Sequence, residues 1–235
     1  MEVVALFLVG GPAFSGTTLL AHLLNQRDVL CLDEPDFHNP QQSHRGIPFL
    51  RKLFPNKSFP ERPEKALTFS EAVDLIRECE KVISPYDLGI KTCNRIFIEY
   101  AKIYKSLKYP VIAIVRDIRD SLVGSLPEWV TEQSLNRSHR LVWENLKMYD
   151  LWLRYEDLVM DPHQAVADIS RVLSRDLEVR TSWDVESVHR PMFKSDRHEL
   201  LRAGTISRAR VGIWRDSGKA FSDETHKTAK MMGYA

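Results

Sequence analysis

The chain opens with an apolar run, Val3-Val4-Ala5-Leu6-Phe7-Leu8-Val9, that ends abruptly in Gly10-Gly11-Pro12-Ala13-Phe14-Ser15-Gly16-Thr17-Thr18. A continuous apolar stretch bounded by glycine reads as a strand covered on both faces, the environment of a parallel sheet. It lacks a basic leader and is too short to cross a bilayer, so it is read neither as a signal peptide nor as a membrane span. The small residues that follow let an anion approach the backbone. The loop amides and the N-terminus of the next helix can then hold that anion. Ser15, Thr17 and Thr18 add hydroxyl donors.

The rest of the chain alternates in type. Thr18 to Asn25 reads as helix and Val29 to Leu32 as a short strand. Thr68 followed by Glu71 is a capping box for a helix to about Val82. Leu88 to Lys91 is a short strand, and Asn94 is expected to cap a helix to about Leu107. Val111-Ile112-Ala113-Ile114-Val115 is the clearest buried strand. A helical stretch from about Ile118, another over roughly Glu132 to Tyr149, and a strand-like Leu151 to Tyr155 follow. Asp161-Pro162 supplies an N-cap with proline at the first helical position, opening a helix to about Leu173. This alternation predicts an α/β fold, a single three-layer domain over residues 1–235 with a central, mostly parallel sheet. Residues 35–63, polar and punctuated by proline, are long for a plain connection and are expected to hold short helical turns or a functional loop.

Charge and cysteine content narrow the function. Thirty-three Lys plus Arg against 32 Asp plus Glu leave a formal net charge of +1, which excludes a predominantly electrostatic nucleic-acid binder. A hydrophobic content of 43% provides a substantial core and excludes a disordered chain. Cys31, Cys79 and Cys93 are odd in number and widely spaced, which fits reduced thiols and a cytoplasmic location. The histidines are dispersed, no cluster has zinc-site spacing, and no metal is expected. Gly11 to Gly16 has the glycine spacing of a nucleotide-hydrolase loop, but Thr17-Thr18 stands in place of Lys-Ser or Lys-Thr, so the lysine that reaches terminal phosphates is missing. That counts against ATP hydrolysis more than against anion binding.

Ser15-Gly16-Thr17-Thr18-Leu19, taken with three later segments, resembles the nucleotide-dependent sulfotransferase superfamily, whose core is of the P-loop nucleotide-hydrolase type. The later segments are Val115-Arg116-Asp117-Ile118-Arg119-Asp120, Leu153-Arg154-Tyr155-Glu156-Asp157-Leu158-Val159-Met160-Asp161-Pro162, and Ser207-Arg208-Ala209-Arg210-Val211-Gly212-Ile213-Trp214-Arg215. They occur in the family order and span nearly the whole chain. The resemblance implies direct, in-line transfer of a sulfuryl group from 3'-phosphoadenosine 5'-phosphosulfate (PAPS) to an acceptor hydroxyl or amine. The product nucleotide would be 3'-phosphoadenosine 5'-phosphate (PAP).

By that resemblance Ser15, Gly16, Thr17 and Thr18 wrap the 5'-phosphosulfate, and Arg116 binds the 3'-phosphate. Ser125 stands in for a serine that the family places one residue earlier, at Gly124 here. Tyr155 lies near the adenine, and residues 203–218 fold over the nucleotide with Arg208 and Arg210. Phe14 replaces a basic residue, in a loop one residue longer than usual. Lys91, at a strand end, is the first compensating cation, with Arg51 and Arg62 behind it. A transferring acceptor must lose a proton. Glu34, after the second short strand, is the first general base, followed by His38 and Asp36. Residues 35–63 are expected to help form the acceptor pocket. Glu156 and Asp157 are expected to support the fold, and Arg119 and Asp120 to make surface or helix-cap contacts. A small-molecule kinase and a catalytically inactive PAP-binding protein are the rival readings.

Overall fold

A computed structural model describes residues 6–26, 28–39, 45–123, 126–180 and 206–235. The apolar run forms β1 (Leu6–Gly11), and the glycine loop leads into α1 (Thr17–Leu24), one residue earlier than the sequence suggests. Next come β2 (Val29–Asp33), α2 (Ile47–Leu53) inside the long loop, and α3 (Phe69–Ile83). The Thr68–Glu71 capping box is present, with the Thr68 amide donating to Glu71 Oε2 at 2.8 Å. Strand β3 (Asp87–Cys93) is longer than expected at both ends and runs straight into α4 (Asn94–Ser106).

Then follow β4 (Val111–Val115), α5 (Ile118–Leu122) and α6 (Glu132–Glu144). The helix expected to reach Tyr149 stops at Glu144 because the Asn145 side chain turns back to the Leu141 carbonyl at 2.7 Å. A side chain that competes for backbone groups in this way ends helical pairing, and a 3-10 turn over Leu146–Met148 takes over. Tyr155 leaves β5 (Leu151–Arg154) and begins α7 (Tyr155–Met160). Helix α8 (Pro162–Leu173) starts on the Asp161 cap as read from sequence, its side chain accepting from the Gln164 amide at 3.1 Å. A C-terminal helix, α9 (Asp223–Met231), capped by Ser222, was not foreseen.

The five strands form one parallel sheet in the order β2-β3-β1-β4-β5. Because side chains alternate across a strand, Leu6 and Leu8 join a core with Ile76, Ile90, Phe97 and Tyr104 beneath α3 and α4. Phe7 and Val9 point the other way, into a core with Leu20, Ile114, Leu158 and Ile169 beneath α1, α7 and α8. Burial on both faces explains why β1 and β4 read as unbroken apolar runs. Phe37 and Phe59 of the long loop are buried in the first core, with Phe49 and Phe54 packed at its edge.

The chain leaves β1 toward β2 on one side of the sheet and leaves β4 toward β5 on the other. These two strands are neighbours, so the crevice at their C-terminal ends is the topological switch point where open α/β sheets place ligands. Among the described residues no helix is long and apolar enough to cross a membrane.

Candidate active site

The glycine loop sits on one side of this crevice. Gly16 takes a left-handed conformation (φ 87) and offers α1 no side-chain cap, leaving first-turn amides of the helix for another partner. Ser15 is fully buried, yet its Oγ has no hydrogen-bond partner among the described residues. The loop is braced from the β3–α4 junction. Asn94 Oδ1 accepts from the Ala13 amide at 2.8 Å, and Thr17 Oγ1 lies 3.4 Å from Cys93 Sγ. Asn94 therefore does not cap α4 as expected; its side chain is committed to the loop, and Cys93 occupies the cap position.

Phe14 explains the missing basic residue in structural terms. Its backbone is left-handed (φ 66), its carbonyl accepts from Ser121 Oγ at 3.3 Å, and the residue packs against the cluster that contains Ile118 and Leu122 of α5. The position serves as an apolar anchor of the loop on α5.

Arg116 and Tyr155 form the opposite wall. The Arg116 guanidinium lies 4.6 Å from the Tyr155 ring centroid, and a Cβ at Gly16 would come within 2.4 Å of Tyr155 Cδ2. Glycine is required at position 16 by both its φ and this close approach. Burial pushes the Tyr155 hydroxyl up, opposed by the charges of Arg116 and Arg210. Arg116 Nη2 donates to the Arg210 carbonyl, and its Nε is buried without a partner among the described residues. Ser15 Oγ after β1, Thr92 Oγ1 near the end of β3 and Arg116 Nε after β4 are thus three buried polar atoms without a partner among the described residues, carried by three neighbouring strands. Such groups are rare in folded proteins and favour a polar ligand.

The other residues expected to contact a nucleotide separate. Arg208 is exposed and turns to the end of α7, donating to the Val159 and Met160 carbonyls at 3.3 and 2.9 Å. Ser125 and Gly124 lie outside the described residues, as does 203–205 of the covering segment. Arg119 and Asp120, expected to make surface or helix-cap contacts, are buried, and Arg119 does bind the α5 cap residue Asp117. Arg119 pairs with Asp117 at 2.7 Å and stacks 3.9 Å over the Trp214 ring, while Asp120 accepts from two backbone amides of the covering segment. Sequence reasoning missed this pair because nothing local distinguishes a buried charge from a solvated one. Glu156 supports the fold as expected, accepting from the Asp117 amide at 3.1 Å and the Tyr234 hydroxyl at 2.8 Å.

A second cluster forms where β2 and β3 end. Asp33 and Lys91 are register partners, and Lys91 Nζ lies 2.7 Å from Asp33 Oδ1 and 2.9 Å from Glu34 Oε1. Lys91 is 1% exposed, and the two carboxylates hold its ammonium above its ordinary range despite burial. Glu34 is partly exposed, left-handed in backbone (φ 48), and reached from the long loop by Arg45 Nη1 at 3.4 Å. A non-glycine residue held in this conformation stores strain, as functional sites often do.

His38 lies apart in an aromatic wall, 5.0 Å from the Phe69 ring and 6.0 Å from Tyr100, and burial lowers its pKa. Arg51 donates to the Pro60 carbonyl at 2.9 Å, and Arg62 is exposed. Burial also keeps the Cys93 thiol protonated, pushed up to about 11. Among the described residues no group of three or more His, Cys, Asp or Glu side chains is arranged to hold a metal ion.

No family model and no curated protein matches the sequence. Solved structures do match it in fold. The sulfotransferase domain from the curacin biosynthetic pathway aligns over 100% of this chain and 99% of its own, at 17% identity and a TM-score of 0.62. The sulfotransferase domain from the Synechococcus PCC 7002 olefin synthase aligns over 98% of this chain and 94% of its own, at 17% identity and a TM-score of 0.63. The chain therefore has the fold of these sulfotransferase domains.

Proposed function

We propose that this chain is a sulfotransferase that moves a sulfuryl group from PAPS to the hydroxyl or amine of a small-molecule acceptor, acting as one cytoplasmic domain. The observation that carries this reading is the convergence of the glycine loop, Arg116 and Tyr155 on one crevice of a sulfotransferase-type fold. The three unpaired cysteines support the location.

The residues present fit such a donor. Ser15 to Thr18 supply loop amides, helix-terminal amides and hydroxyls suited to the 5'-phosphosulfate, and the buried Ser15 Oγ lacks a protein partner among the described residues. Arg116 offers a guanidinium, which suits a dianionic phosphate. Arg210 is the better second cation, since its charge is felt at Tyr155 whereas Arg208 is spent on the carbonyls of α7. Ser125 remains an expected hydroxyl contact on the same phosphate. The donor, when bound, supplies the activated sulfuryl group.

On the acceptor side Glu34 takes the proton. Its Oε1 is fixed by Lys91 and its Oε2 faces Arg45, which aims a carboxylate that is still partly open to the long loop. Lys91 acts in this reading by positioning Glu34, because its ammonium is enclosed by Asp33 and Glu34. His38 lines the approach with Phe69 and Tyr100 rather than serving as base. Residues 35–63 shape the acceptor pocket. No kinase chemistry is needed to account for these groups.

Incubating the chain with PAPS labelled in its sulfur, over a panel of alcohols, phenols and amines, tests the reading. Label transferred to at least one acceptor, with PAP released in equal amount, supports it. Phosphate transfer from ATP to the same panel, without sulfuryl transfer, overturns it.

A further inference from the structure

Asp120 lies within α5, is 1% exposed, and has no part in the chemistry described above. Its carboxylate nonetheless collects two backbone amides from a segment some ninety positions later. Oδ2 accepts from Gly212 at 2.7 Å and Oδ1 from Trp214 at 3.0 Å. Gly212 is left-handed (φ 72) and starts a 3-10 turn over Ile213–Asp216, which brings both amides to the one carboxylate. Two neighbours on the same stretch of chain grip the same segment. Arg116 donates to the Arg210 carbonyl, and Arg119 stacks on Trp214.

We infer that Asp120 is a positioning residue for recognition of the donor's 3'-phosphate, setting the register of the 206–216 segment so that Arg210 faces Arg116 and Tyr155. The inference rests on the donor proposed above. Moving the segment by one residue would take Arg210 from Arg116 and replace it with Ala209 or Val211, neither of which carries charge. An ionised acceptor is the stronger partner for an amide, by roughly twofold over a neutral one. A carboxylate holding two amides therefore fixes register better than any neutral side chain of its size. Burial outweighs the other influences and raises the Asp120 carboxyl above its ordinary value, while the two amides and Arg116, 3.9 Å away, pull it back toward ionisation. Arg119 adds a flat contact on Trp214 but no hydrogen bond to the segment's backbone, so it steadies the segment without choosing its register.

Calorimetric titration of the full chain with PAP and with adenosine 5'-phosphate, which lacks the 3'-phosphate, tests this. Two variants are compared with the wild type. Asp120→Asn keeps the shape but removes the charge and presents an amide donor to one of the two N–H groups. Gly212→Ala strains the segment itself at φ 72 and leaves the buried acid untouched. The expected result is a loss of about tenfold or more in the preference for PAP over adenosine 5'-phosphate in both variants, with adenosine 5'-phosphate affinity unchanged.

A fall in both affinities by the same factor, or no change in the ratio, overturns the role of Asp120 while leaving the donor assignment standing. A wild type that shows no preference for PAP overturns the donor assignment and this inference with it. Should Asp120→Asn lower the melting temperature enough to prevent titration, Asp120→Glu, which keeps the charge but moves both acceptor oxygens, is titrated in its place, and an unchanged preference for PAP overturns the role of Asp120.

Discussion

The Lys91 ammonium lies 2.7 Å from Asp33 and 2.9 Å from Glu34, and only 1% of the residue is exposed. One buried cation thus bridges two acids at the ends of adjacent strands. Replacing it removes the cation the two acids share and leaves them facing each other, with Arg45 still at Glu34. Lys91→Met is expected to destabilise the fold by about 3–5 kcal/mol, the cost of breaking a buried pair from one side. Chemical denaturation of the variant measures this, and a change below about 1 kcal/mol would mean that the ion pair is solvated.

Glu34→Gln is expected to behave differently. Lys91 keeps Asp33 as its counterion, so stability should fall by only about 1.5–3 kcal/mol, the value of one charge-assisted hydrogen bond. Turnover should fall by about 10²–10⁴ with PAP affinity unchanged, as for loss of a general base. Full activity in Glu34→Gln would remove Glu34 from the chemistry.

Gly16→Ala tests the wall between loop and nucleotide side. Its Cβ would lie 2.4 Å from Tyr155 Cδ2, at a φ of 87 that alanine resists. We expect a stability loss of about 1–3 kcal/mol from overpacking and strain, with weakened PAP binding. Wild-type melting and binding in this variant would show that Tyr155 does not abut the loop.

His139 carries a pH prediction. It is fully buried, its Nδ1 lies 2.9 Å from the Leu135 carbonyl, and burial lowers its pKa to about 4, with Asp117 acting weakly in the opposite sense. Below an ordinary value of 6.5 the unfolded chain takes up the proton that the folded chain refuses. The stability it contributes is therefore complete above 6.5 and lost as pH falls toward 4. Melting curves across that window should fall more steeply for the wild type than for His139→Phe, and equal slopes would count against a buried neutral imidazole.

Much of the fold was legible because its signals are local. The apolar runs of β1 and β4, the Thr68–Glu71 box and the Asp161–Pro162 cap each act within a few residues. Departures came where a distant partner outbid the local one. Asn94 serves the Ala13 amide instead of its own helix, and α9 is held by the packing of Thr225, Thr228 and Ala229 on α5 and α6. The placement of the candidate site residues was legible to the same degree. Ser15, Gly16, Arg116 and Tyr155 stand in motifs with fixed spacing, and they meet. That Lys91 would be enclosed by Asp33 and Glu34, or Asp120 buried beneath Trp214, depends on strand register and on contacts some ninety residues apart, which spacing does not encode.

The most direct test of the account is a calorimetric titration of the wild-type chain with PAP and, separately, with ATP. The account predicts saturable binding of PAP, about one hundredfold or more tighter than ATP if a buried arginine pairs with the 3'-phosphate. Equal affinity for the two nucleotides, or preference for ATP, would contradict it.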